Sequence, residues 1–134
     1  MTSTQLSAFL CYRDPDAMVG WITGVLGFDM VRDFRDDGDI LAHAELKRGD
    51  AVLCVQRDDR GYDVPVVKGD CVGAGLYLVV DDTEVTAIHR RAVDAAATVL
   101  VAPETTEWGN FRTELLDPEG RQWSIGTYLP GQRG

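Results

Sequence analysis

The stretch Glu107-Trp108-Gly109-Asn110-Phe111-Arg112-Thr113-Glu114-Leu115-Leu116-Asp117-Pro118-Glu119-Gly120-Arg121-Gln122-Trp123-Ser124-Ile125-Gly126-Thr127-Tyr128 decides how this chain is read. It predicts two strands joined by a tight turn. Asp117-Pro118 presets the first turn positions, and Gly120 accepts the positive φ that closes the reversal. A shorter version occurs earlier, where His43-Ala44-Glu45-Leu46-Lys47-Arg48-Gly49-Asp50-Ala51-Val52-Leu53 lines up with Arg112 to Ser124 across a shorter turn. A repeated supersecondary unit constrains the fold more than any single motif does.

Working outward, the same order of elements appears twice. Leu6 to Arg13 reads as a buried strand, and Asp14-Pro15-Asp16 opens a helix with a capping carboxylate, a proline at the first helical position and an acid near the positive end of the dipole. Met18, Trp21, Ile22, Val25 and Leu26 give that helix one apolar stripe, and Gly27 ends it. Phe28 to Phe34, Ile40 to Leu46 and Ala51 to Gln56 follow as three strands. The polar segment from Arg57 to Asp70, with Gly61, Pro65 and Gly69, reads as a connector and a candidate flap over a site. The pattern then restarts: a strand over Val72 to Val80, a helix capped within Asp81-Asp82-Thr83-Glu84 with Val85, Ile88, Ala92 and Ala95 inward, a strand over Thr98 to Ala102, and the final hairpin. Asp14 and Asp82, and likewise Glu45 and Glu114, keep nearly the same offset. The chain is therefore expected to be one α+β domain over 1–134, built from two βαβββ modules: about 5–57, a connector about 58–71, and about 72–128.

Composition narrows the partners. With 134 residues and 45% apolar content, one domain or two half-domains fit. A formal charge of −9, from 22 acidic and 13 basic residues, repels nucleic acid and anionic membrane and suits a neutral or cationic small molecule. Cys11, Cys54 and Cys71 are odd in number, lack C-x-x-C spacing, and read as buried thiols in a reducing cytoplasm. No apolar run approaches the roughly 20 residues of a membrane span, and the opening Met1 to Gln5 lacks signal-peptide character, so a cytoplasmic location is expected.

A tandem βαβββ chain with capped helices, a Trp-Gly and an Asp-Pro-Glu-Gly near its end resembles the vicinal oxygen chelate superfamily of glyoxalases, extradiol dioxygenases and bleomycin-resistance proteins. The resemblance covers essentially the whole chain. It implies curled mixed sheets, helices outside, a concave pocket between the halves or across a dimer, and a symmetric homodimer. It also implies a divalent metal held by the first and last strands of each half, usually through His or Gln and Glu, with open positions for two substrate oxygens. Placed by register, those positions are Ser7, Leu53, Gly75 and Ser124, and none is a credible ligand. Neighbouring positions supply only Gln5, Cys11, Cys54, Gln56, Cys71 and Gln122 as donors, and a one-residue slip turns a strand's side chains to the other face. No metal and no other cofactor is expected.

Single residues then divide between function and packing. His43 is a candidate general base but has no evident partner in sequence, so a solvent-facing or sheet-bonded histidine is the reading adopted. His89 reads as surface. Cys11 shares a face with Ser7, Phe9 and Arg13 and either lines the pocket or acts as a nucleophile; an inert thiol is the simpler reading. Phe9, Tyr77, Trp108 and Phe111 offer flat apolar surface to a planar or cationic ligand, although core packing explains any one of them equally well. Trp123 is expected under the helices and Trp21 in the core. Arg112 is read as the partner of Glu114, with an anionic ligand group as the alternative. The acidic run Asp33 to Asp39 reads as a solvated turn or a steering element for a cation.

The candidate ligand-binding residues are thus Ser7, Phe9, Cys11, Leu53, Tyr77, Trp108, Phe111 and Ser124, with no catalytic residue assigned. The expected function is metal-independent binding of a small molecule, of the kind that sequesters a cationic or aromatic antibiotic. The alternative is an enzyme of the same fold, a lyase, isomerase or dioxygenase, with a displaced metal site or metal-free catalysis.

Overall fold

In the computed structural model, which describes residues 3–133, the elements run β1 (Ala8–Tyr12), α1 (Pro15–Leu26), β2 (Asp29–Asp36), β3 (Ile40–Arg48), β4 (Ala51–Arg57), β5 (Gly75–Val79), α2 (Asp82–Asp94), β6 (Thr98–Thr105), β7 (Phe111–Leu116) and β8 (Gln122–Gly126). The strands form two open four-stranded sheets, ordered β1-β4-β3-β2 and β5-β8-β7-β6. In each, the first strand pairs in parallel with the last, and the remaining pairs are antiparallel. The fold is α+β, two βαβββ modules in tandem. The chain divides into two compact units at Asp63/Val64, inside the stretch expected to be the connector.

The helix ends follow from their residues. The Asp14 carboxylate accepts from the Ala17 amide at 3.1 Å, Pro15 occupies the first helical position, and Gly27 closes α1 in the left-handed region. For α2 the cap is Asp81, whose side chain accepts from the Glu84 amide at 2.9 Å. The apolar stripe of α1, Met18, Trp21, Ile22, Val25 and Leu26, is buried as its spacing predicts. Side chains such as Ile22 and Leu26, with no solvent contact, each contribute about 1.5–3 kcal/mol by burial. The α2 stripe is shorter than expected, comprising Val85, Ile88 and Ala92. Ala95 falls at the exposed C-cap, because the helix stops at Asp94.

Two strands differ from the sequence reading by three residues at one end, and β1 to β4 by one or two. β5 begins at Gly75 rather than Val72, and β6 continues to Thr105 across register shifts against β7. β2 is exposed along its whole length, as an edge strand with charges at Asp29, Arg32, Asp33, Arg35 and Asp36. The Asp33 to Asp39 run is held by Arg35, which pairs with Asp16 at 2.7 Å and Asp33 at 3.1 Å. Hydrogen bonding to that guanidinium lowers the Asp16 pKa below the ordinary carboxylate value.

The final turn is built as its sequence demands. Gly120 has φ 86°, its amide donates to the Asp117 carbonyl at 2.9 Å, and the Asp117 amide donates to the Arg121 carbonyl at 2.8 Å. The positive φ requires glycine there, and a Cβ at Gly120 would also lie 2.5 Å from Val64 Cγ1 and displace that side chain. The buried Asp117 carboxylate accepts from the Glu119 and Arg121 amides and from the Trp123 indole N–H at 3.0 Å. Trp123 is buried on the helix-facing side of β8, as expected. Replacing Asp117 by alanine removes the carboxylate acceptor of two amides and a buried indole N–H, and is expected to cost about 2–4 kcal/mol. Urea unfolding measures this, and an unchanged midpoint would show that the turn does not hold the second sheet.

Candidate functional site

Within the second unit, four of the expected residues line one cavity of about 610 Å³: Tyr77, Trp108, Phe111 and Ser124. Each is placed by its strand or by the turn before it. Thr106 and Asn110 close that turn, through Thr106 N–H to the Asn110 carbonyl at 2.7 Å and Asn110 N–H to Thr106 Oγ1 at 2.9 Å. The turn projects Trp108 outward, 66% exposed, over the cavity mouth. Phe111 is anchored by its amide, which donates to Thr127 Oγ1 at 3.0 Å.

Tyr77 pairs with Ser124 in the parallel β5–β8 register, so both side chains stand on the same face. Its hydroxyl donates to the Tyr128 carbonyl at 2.6 Å, which ties the C-terminal segment bearing Tyr128 and Pro130 to the cavity rim. Gly126 makes this possible, since a Cβ there would lie 2.8 Å from the Tyr77 hydroxyl oxygen. Burial raises the Tyr77 phenol above its ordinary pKa.

The floor carries a residue the sequence reading did not propose as a ligand contact. Glu114, on β7, is 8% exposed and lines this cavity and an adjoining one of about 400 Å³ that extends towards Asp70, Cys71 and Gly73. Its Oε1 accepts from Gln122 Nε2 at 2.8 Å and from Ser124 Oγ at 2.5 Å. Arg112, expected to pair with Glu114, bonds mainly across the strand pair to Glu104, at 3.0 Å; its Nη1 lies 3.9 Å from Glu114 Oε2. The sequence signal for Glu114 was present in its parity with Arg112 and in its echo of Glu45. In the sequence reading Glu45 marks the repeat, and Glu114 marks the repeat and partners Arg112.

The remaining candidates lie in the first unit. Phe9 is 69% exposed on β1, and Ser7 is exposed just before that strand. Cys11 lines a separate cavity of about 450 Å³ with His43, Gln56 and Tyr62. Leu53 requires correction: it is 5% exposed and shares the buried face of β4 with Val55. Phe9 pairs with Cys54 and Cys11 with Gln56, so the β4 residues on the Phe9 face are Cys54 and Gln56. The alignment of the two hairpins across turns of unequal length caused this one-residue slip.

His43 has a partner after all: its Nε2 lies 3.0 Å from Glu45 Oε2, two residues along the same strand face, with the Phe34 ring beside it. His89 is half-buried on α2 rather than at the surface. The three cysteines form no disulfide, but none is fully buried; Cys71 is exposed, and Cys11 and Cys54 are half-buried. The latter two lie on the sheet face opposite buried Leu53 and Val55, which explains the difference.

The four positions at which related enzymes hold a metal do not fit one here. Ser7 and Gly75 offer no charged or imidazole donor, the β4 position that the register makes equivalent to Ser124 is Cys54, a single half-buried thiol, and the Ser124 hydroxyl is committed to Glu114. Among the described residues no cluster of three or more His, Cys, Asp or Glu side chains is arranged to hold a cation. Among the same residues, no helix is long and apolar enough to cross a membrane.

Residues 4–125 match the family model described as the Glyoxalase/Bleomycin resistance protein/Dioxygenase superfamily. Among solved structures, TioX from Micromonospora sp. ML1 is 25% identical with a TM-score of 0.71, the match covering 95% of this chain and 100% of that one. A glyoxalase/bleomycin resistance protein/dioxygenase family enzyme from Burkholderia phytofirmans PsJN is 22% identical at TM-score 0.71, over 94% of this chain and 100% of that one. The fosfomycin resistance protein FosX from Mesorhizobium loti is 13% identical at TM-score 0.71, over 97% and 96%. The last two share the fold alone. No curated protein matches the chain in sequence.

Proposed function

This chain belongs to the glyoxalase/bleomycin resistance protein/dioxygenase superfamily, and we propose that it is a metal-independent binding protein for an aromatic or cationic small molecule, an antibiotic among the candidates. The observation that carries this reading is the cavity of about 610 Å³ walled by Tyr77, Trp108, Phe111 and Tyr128, with a buried carboxylate at its floor. Pockets of that size with aromatic walls and a few convergent polar groups suit a drug-sized ring system. An exposed indole at the mouth gives a stacking surface whose burial by a ligand is favourable, and the same face attracts a cation. The net charge of −9 favours approach of a cationic ligand over an anionic one. Metal independence is supported by the donor chemistry at Ser7, Cys54, Gly75 and Ser124, which together bring no imidazole and no carboxylate.

We place the protein in the cytoplasm as a homodimer, consistent with cysteines that form no disulfide and with β2 and β6 as outer edge strands among the described residues. Sedimentation should give twice the chain mass at micromolar concentration, and a monomer there would contradict the pairing. Elemental analysis of purified protein should find no stoichiometric divalent metal; about one zinc, iron, manganese or nickel per chain, removable only by chelator, would overturn metal independence. Trp108→Ala is expected to weaken ligand binding by about 1–3 kcal/mol, as loss of an aromatic anchor does, with the unfolding midpoint unchanged. Lost stability with unaltered affinity would assign Trp108 to packing instead.

A further inference from the structure

The floor of the cavity carries a donor and an acceptor that are both incompletely used. Glu114 Oε1 is occupied by Gln122 and Ser124, whereas among the described residues Oε2 accepts no hydrogen bond, and Arg112 Nη1 stands 3.9 Å from it, beyond hydrogen-bonding distance. An ionised carboxylate has about four acceptor positions over its two oxygens, so Oε2 retains its capacity inside the cavity. On the same face of β7, Arg112 gives Nη2 to Glu104, while its buried Nε meets no acceptor among the described residues. Arg112 lines both cavities, and its Nη1, 3.9 Å from Glu114 Oε2, is not hydrogen-bonded to that carboxylate.

Taking the aromatic pocket above as its basis, we propose that this floor recognises a neutral planar ring bearing an N–H donor beside a carbonyl acceptor, the edge of a lactam or cyclic amide. The N–H donates to Glu114 Oε2 and the carbonyl accepts from the Arg112 guanidinium, while the ring lies against Trp108 and Phe111. Charge separates this class from its competitors. A bare ammonium satisfies Glu114 but brings a positive charge against Arg112, and a bare carboxylate does the reverse. A neutral donor–acceptor edge satisfies both without repulsion. Ser124 and Gln122 act as positioning residues, since their bonds to Oε1 fix the carboxylate so that Oε2 faces the cavity.

The test is a calorimetric titration of the full chain with three fused-ring probes: carbostyril, which carries the N–H beside a carbonyl; its N-methyl derivative, which lacks the donor; and quinoline, which lacks both the N–H and the carbonyl. Carbostyril is expected to bind about tenfold or more tightly than either of the others, the usual scale for a hydrogen bond to a charged group. In Glu114→Gln that advantage should disappear, leaving the three probes with the same affinity. Equal affinity for the three probes overturns the edge recognition and leaves the aromatic pocket standing. No binding of any probe overturns both. If the variant fails to fold, the ranking on the native chain decides alone.

Discussion

A single helix packs on each four-stranded sheet, so on the central strands successive side chains divide between a face the helix covers and a face it leaves without a helix above it. This period-two constraint controls the rest of the structure. On β7, Thr113 and Leu115 are fully buried towards α2, and Arg112 and Glu114 are turned the other way. On β8, Trp123 and Ile125 are packed, and Gln122 and Ser124 share the face of Glu114. The chemistry of the site is therefore confined to residues that the packing of the core does not use. A substitution there can change ligand affinity with little effect on the apolar interior.

Glu114 shows how the uncovered face still buries a charge-bearing group. Two donors from β8 hold one oxygen, and the guanidinium of Arg112 stands near the other. Burying a carboxylate without partners is costly, and the two bonds to Oε1 offset part of that cost. The first unit repeats the arrangement with different chemistry. Glu45 pairs in register with Cys54, as Glu114 does with Ser124, and its partner is His43. The two modules share the backbone plan and diverge in the side chains on the uncovered face, which is where tandem duplication leaves freedom to specialise.

Most of the fold was legible because its signals are local. Asp14-Pro15 and Gly27 bound α1, the stripe from Met18 to Leu26 sets its packed face, and Asp117 to Gly120 forms a turn that few other conformations allow. Ala95 and the start of β5 were misplaced because helix and strand ends depend on tertiary contacts that propensity does not encode. The site was legible in part. Trp108, Phe111, Tyr77 and Ser124 could be gathered from the resemblance and from strand parity. Leu53 was misassigned because the two hairpins have turns of different length, and a register carried across them slips by one residue. Glu114 was missed as a site residue since its burial depends on Gln122 and Ser124, side chains contributed by the next strand.

The chain's three tryptophans separate the possibilities in one measurement. In a nitrogen-labelled sample titrated with carbostyril, each indole N–H gives its own signal. Trp108 lies at the cavity, Trp123 is locked to Asp117, and Trp21 belongs to α1 in the other unit. The account predicts that the Trp108 signal shifts progressively to saturation while those of Trp21 and Trp123 stay in place. A stationary Trp108 signal, with Trp21 moving or with no change at all, would contradict a ligand site in the second unit.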